Sequence, residues 1–176
     1  MATGNANIYP IGKFKSPQPF NDEVLSSCIR DIADFSKQLK KSMKQLKKKD
    51  LQKTYKDGGW SIEQIIHHLA DSHMNAYIRL KLALTENNPT VKPYDENLWA
   101  ELNDIQLPLK HSVKILKGVH KHWATLLKNM TPDDFERTYF HPEQKKKVSI
   151  KDMTALYAWH GKHHLAQVEV ARLYGE

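Results

Sequence analysis

The sequence predicts an all-α protein, an up-down four-helix bundle. Two observations carry that expectation. Four long stretches place apolar residues at the 3.6-residue period of a helix. They are punctuated by helix-start signals and turns, with one longer connection, which suits four helices around one core.

The first twenty residues hold Pro10, Gly12, Pro17 and Pro19 and read as an extended arm that packs on the domain. A first helix is expected over residues 21–49, with Asn21 as N-cap. Its apolar series is Ile32, Phe35, Leu39, Met43 and Leu46, and Cys28 sits in it as a buried spacer beside Leu25, Ile29 and Ile32. "YKDGGW" is a turn. Ser61 and Gln64 stand at capping-box spacing and open the second helix, with Ile62, Ile66, Leu69, Ala76, Leu80 and Leu84 on one face. "TENNPTVKPYDENLW" is a loop with a short helical turn near residues 96–102. A third helix is expected over residues 109–129, with Val113, Leu116, Val119, Trp123, Leu127 and Met130 inward. Thr131-Pro132 starts a short helical turn. Around "RTYFHPEQKKKVSI" the helical period breaks, and Tyr139, Phe140, Val148 and Ile150 flank a polar turn as in a small β-hairpin. Ser149 with Asp152 then starts a fourth helix that runs to about Tyr174. No repeat or low-complexity linker divides the chain, so residues 1–176 are expected to form one domain.

Composition narrows the function classes. With 40% apolar and 27% charged residues the chain is of globular type. No apolar run reaches the length of a membrane span, the N-terminus has no secretory h-region, and the single cysteine precludes an internal disulfide. These features suggest a cytoplasmic protein. The net charge of +7 admits nucleic acid as a partner. Seven lysines, however, fall between Lys37 and Lys49, where they alternate with the apolar series as a solvated helix face. With no arginine cluster, aromatic platform or helix-turn-helix pattern, a nucleic-acid-binding role is disfavoured.

The histidines carry more information. On the fourth helix Met153, Leu156, Val168 and Ala171 define the inward face, and His160, His164 and Gln167 fall inside it, with His163 at its edge. Burying a polar group without a partner costs about 2–7 kcal/mol. Imidazoles four residues apart share one face and can share one partner. Neutral imidazole is a common transition-metal ligand. A third ligand is offered by "IIHHLADSH" in the second helix. His73 lies within the apolar stripe and serves equally as a core histidine. His67 points to the side of Glu63, Asp71 and Lys81, which reads as solvent, and His68 to a flank with Ser61, Ser72 and Asn75. The set is therefore His160 and His164 with His68, His67 or His73. Three protein ligands leave a coordination position open, as in catalytic rather than structural sites. His111, His120, His122 and His141 show no ligand spacing and read as surface or helix-flank residues. Asp71 reads as a helix-surface carboxylate, and Trp60, Tyr94, Trp99 and Trp159 as core or pocket-lining aromatics.

At these residues the chain resembles the DinB-like superfamily, in particular its YfiT-type branch of metal-dependent hydrolases. The matching segments are "YPIGKF", "DGGWSIEQIIHHLADSHMNAYIRLKLALTE", "KPYDE", "FHPE" and "YAWHGKHHLAQ", which together span almost the whole chain. The resemblance implies a four-helix bundle that binds one divalent metal through His68, His160 and His164, zinc in the first place and nickel or another divalent ion in the second. It implies a small-molecule substrate and a homodimer. It points to hydrolysis by metal-bound water or, alternatively, to S-transfer from a low-molecular-weight thiol such as bacillithiol. It names no catalytic residue beyond the metal ligands.

Overall fold

The computed structural model describes residues 7–173. In chain order the elements are α1 (Asp22–Met43), a 3₁₀ turn (Lys48–Asp50), α2 (Ile62–Thr85), α3 (Glu96–Trp99), a second 3₁₀ turn (Asn103–Gln106), α4 (Lys110–Lys128), α5 (Pro132–Glu136), β1 (Thr138–His141), β2 (Lys146–Ser149) and α6 (Ile150–Leu173). The long helices α1, α2, α4 and α6 make a four-helix bundle, as expected. Around the bundle the neighbours run α1–α4–α2–α6 and back to α1. The consecutive helices α1 and α2 therefore face each other across a diagonal, as do α4 and α6.

The start signals act as the sequence implies. Asn21 Oδ1 accepts from the Val24 amide. Gln64 donates its amide to Ser61 Oγ at 3.2 Å, and Gln64 Oε1 accepts from the Ser61 amide at 3.0 Å. Thr131 and Asp134 form a second capping box. Ser149 Oγ accepts from the Asp152 amide at 3.0 Å and launches α6 directly from the hairpin. The hairpin pairs Thr138 with Ser149 and His141 with Lys146. The connection after α2 is tied to it, because Phe140 donates to the Pro89 carbonyl and Val91 to the Phe140 carbonyl. The expected end of α6 at Tyr174 lies outside the described residues.

The first helix is shorter than its apolar series suggests and ends at Met43 rather than Lys49. Its last amides tighten onto carbonyls three residues back (Lys44 to Lys41, Gln45 to Ser42, Leu46 to Met43). Lysines crowd this end without acidic partners one turn away. Asp50 offers the chain another conformation by accepting from the Lys47 amide at 2.8 Å. The chain then turns back, and Leu51 and Lys53 take the amides of Glu63 and Ile62. The lysines from Lys37 to Lys49 are solvent-exposed.

The core has two apolar parts. One gathers Ile32, Leu80, Trp123, Leu127, Ile150 and Met153. The other gathers Phe35, Leu39, Ile65, Leu69, Leu116 and Val168. Between them lies a layer of imidazoles, stacked on Phe35 from one side and edged by Trp123 and Tyr157 from the other. None of the described helices is long and apolar enough to cross a membrane.

Gly161 sets the distance between α6 and α1. A Cβ there would lie 2.7 Å from the Phe35 ring. Helix propensity alone favours alanine over a mid-helix glycine by about 1 kcal/mol. The contact reverses that sign, since overpacking costs about 1–3 kcal/mol. Gly161→Ala should therefore lower the thermal midpoint, by roughly 5 °C, and adding Phe35→Leu should recover part of the loss. A midpoint raised by Gly161→Ala would contradict this packing.

Candidate metal centre

The capping box fixes where α2 begins, and His68 follows on its second turn. The four-residue spacing on α6 stacks His160 and His164 one turn apart. The three side chains converge, with one nitrogen from each lying within 4.8 Å of the other two. Nε2 of His160 and Nε2 of His164 are 3.1 Å apart. The ring of His68 sits 5.0 Å from that of His164 and 5.5 Å from that of His160. Trp60, placed by the turn in which Gly58 takes φ +63°, packs against His68 at 4.5 Å.

The outer nitrogens are engaged. Gln167 Nε2 donates to the Ile8 carbonyl at 2.9 Å, which leaves Oε1 to accept from His164 Nδ1 at 2.8 Å. With its proton on Nδ1, His164 turns an Nε2 lone pair toward the site. His160 Nδ1 lies 3.1 Å from Nε2 of the fully buried His73. Burial holds all three rings neutral. It pushes His68 down to about 4 and, with help from neighbouring imidazoles, depresses His160 and His164 well below the usual histidine range. Neutral imidazole is the metal-binding form. Zinc–nitrogen bonds of about 2.0–2.1 Å in a tetrahedral set imply neighbouring nitrogens about 3.3 Å apart, close to the spacing of His160 and His164. The donor set thus fits a divalent transition metal.

A cleft of about 430 Å³ opens onto His160 and His164. Tyr9, Tyr55, Trp60 and Trp159 wall it, and Lys56 and Glu96 bring charge to it. Burial, followed by Asp95 and Glu143, raises the carboxyl of Glu96 above the usual range.

The structure thus brings together His68, His160 and His164. His163 stands aside and stacks on Trp159 at 4.5 Å. His73 is a core residue, bonded to histidines rather than to a backbone group. Three expectations need correction. His67 does not face solvent; the N-terminal part of α4 covers that flank, and His67 Nδ1 bonds Ser112 Oγ at 2.8 Å. His120 is buried on the inner face of α4, where it bonds His73 and the Ile32 carbonyl. His141 is buried in the hairpin and takes the Gln144 amide on Nδ1. His111 and His122 are exposed, as expected. Asp71 is half-buried beside Asp104, which together with burial pushes it up to about 6. Trp60 and Trp159 line the cleft, while Tyr94 and Trp99 pack on each other. The contributions of Tyr9, Tyr55 and Glu96 carry no helical signal. That of His120 does, because Leu116, His120, Trp123 and Leu127 share one face.

The buried imidazoles make the metal-free protein acid-sensitive. Their folded pKa values lie below the unfolded value near 6.5, so the unfolded chain binds more protons and stability falls as pH drops. His68 and His120, both pushed to about 4, place the loss between about pH 6.5 and 4. Asp71 and Glu96, both raised, act in the opposite sense, but as two groups against several. The denaturant midpoint of metal-free protein should be clearly lower at pH 5.0 than at pH 7.5. An equal midpoint at both would refute the buried neutral layer.

Known proteins place this geometry in context. The family model of the DinB superfamily matches residues 35–168. A protein of Oceanobacillus iheyensis named "putative metal-dependent hydrolase" is 48% identical over 160 residues, covering 91% of this chain and 92% of the relative. One of the same name from Bacillus cereus is 45% identical over 164 residues, covering 93% and 94%. Among solved structures, YfiT from Bacillus subtilis, described as "a probable metal-dependent hydrolase with an unusual four-helix bundle topology", superposes with a TM-score of 0.91 at 37% identity, covering 97% of this chain and 98% of that one. A family model that covers most of the chain, relatives close to half identical over nearly their whole length and a solved bundle of the same fold agree: the chain belongs to the DinB superfamily.

Proposed function

We propose that the protein is a metal-dependent hydrolase of a small-molecule substrate, in which His68, His160 and His164 hold one divalent ion, zinc in the first place and nickel or another divalent ion in the second. The observation that carries this reading is the convergence of three neutral imidazoles, two of which, His160 and His164, open onto an aromatic cleft. An ion held by three imidazoles supplies a Lewis acid with a position left for water or a substrate oxygen. Gln167 orients His164. Tyr9, Tyr55, Trp60 and Trp159 give the substrate apolar walls and reduce water around it. Lys56 favours an anionic group on the bound molecule, and Glu96, with its raised carboxyl pKa, is the cleft residue suited to exchanging a proton. The reading includes a single domain, a cytoplasmic setting and a homodimer. Exposed Leu98, Leu102 and Leu107 on the segment before α4 support the dimer.

Metal content by mass spectrometry of untagged wild type, His68→Ala, His160→Ala and His67→Asn tests the centre. The expected result is one ion per chain, lost in His68→Ala and His160→Ala and kept in His67→Asn. Wild type that takes up no ion after reloading would refute it. Ester, amide and phosphoester substrates should then be hydrolysed by the loaded protein alone. Turnover that appears only with an added low-molecular-weight thiol would reassign the reaction as S-transfer.

A further inference from the structure

We propose that His73 and His120 are positioning residues: with the Ile32 carbonyl they form a hydrogen-bonded chain across the bundle that locks His160 in the tautomer presenting Nε2 to the metal. The inference rests on the metal-centre reading above and adds to it two residues that touch neither ion nor substrate.

The chain has only one consistent proton arrangement. The Ile32 carbonyl can only accept, so His120 Nδ1, 2.6 Å away, must donate. A neutral imidazole carries one ring proton, so His120 Nε2 is a lone pair. His73 Nδ1 lies 2.8 Å from it and must be the donor. His73 Nε2 is then the acceptor for His160 Nδ1 at 3.1 Å. His160 is left with its lone pair on Nε2, the nitrogen that faces His164. Reversing the chain would leave two acceptors facing each other at Ile32.

The order of partners follows the order of the helices, from Ile32 on α1 to His120 on α4, His73 on α2 and His160 on α6. His73 and His120 are fully buried, so water offers no competing partner. Phe35 stacks on both, 5.2 Å from His73 and 5.1 Å from His120, and fixes their ring planes. The far end is a carbonyl, which has no proton to give. The arrangement is therefore a lock on ring orientation and tautomer, not a route for protons. His164 reaches the same state by a local device, its own Gln167.

The test begins with long-range ¹H–¹⁵N NMR of metal-free wild type, where His73, His120, His160 and His164 should all carry the proton on Nδ1. Zinc affinity by chelator competition follows, for His73→Phe and His73→Gln. The phenylalanine keeps a ring and loses both bonds. The glutamine carbonyl can take the place of the His73 Nε2 acceptor. Loss of such an outer partner typically costs about 10–100-fold in affinity, and that loss is expected for His73→Phe, with His73→Gln within about threefold of wild type. His160 protonated on Nε2 in wild type would overturn the proposal, as would a folded His73→Phe that binds zinc like wild type. Should His73→Phe fail to fold, the wild-type tautomers decide. Wild type with all four Nδ1 protons in place but no zinc uptake would refute the metal reading and leave the lock standing.

Discussion

The bundle depends on pairing a layer of imidazoles with partners drawn from the protein itself. His73, His120, His160 and His164 lie between two apolar halves of the core. Any one of them left unpartnered would cost on the order of a few kcal/mol. Each instead finds a neighbour, and the succession of bonds touches every long helix. Polar networks in a low-dielectric interior reward complete satisfaction and penalise partial satisfaction. That constraint specifies which helix lies beside which more sharply than apolar contact does, because leucines tolerate repacking and imidazole bonds do not. Phe35 and Gly161 serve the same layer, the first by stacking on two rings and the second by leaving that phenylalanine room.

The cleft over this layer is assembled from pieces distant in sequence. The N-terminal segment contributes Tyr9, the loop before α2 contributes Tyr55 and Lys56, α3 contributes Glu96, and α6 contributes Trp159 and the inward histidines. Rigid helices hold the imidazoles, and connecting segments supply the walls. This division suits a site in which the donor geometry is fixed while the shape of the pocket is open to variation.

Much of this was legible in the residues. The helical periods give four helices; Asn21, Ser61 with Gln64 and Ser149 with Asp152 mark the starts of three of them, and Thr131-Pro132 marks the start of the short α5. The HxxxH spacing on α6 together with the inward face marked His160 and His164. The alternatives His67, His68 and His73 were distinguishable only by contacts with other helices. Periodicity assigns a residue to a face and does not say what covers that face. So His67, on a polar-looking flank of α2, is closed off by Ser112 of α4, and His120, which its lack of ligand spacing marks as a surface or flank residue, continues the buried stripe of Leu116, Trp123 and Leu127. The early end of α1 follows from a local competition, Asp50 against the helical register, that an apolar series cannot show. The diagonal placement of consecutive helices is a property of connections and of cross-bundle bonds, neither of which has a period.

The bond from Gln167 to the Ile8 carbonyl has a consequence for how the molecule is handled and how it could evolve. His164 is oriented by an amide that is itself oriented by a carbonyl from the N-terminal segment, more than one hundred and fifty residues away along the chain. The segment around Ile8 thereby takes part in orienting His164, though it contributes no imidazole. A change that displaces Ile8 would free the Gln167 amide to flip, and His164 would then meet an NH₂ group where it needs an oxygen. His164 would register such an event as a change in the basicity of its ring, with the bundle itself untouched.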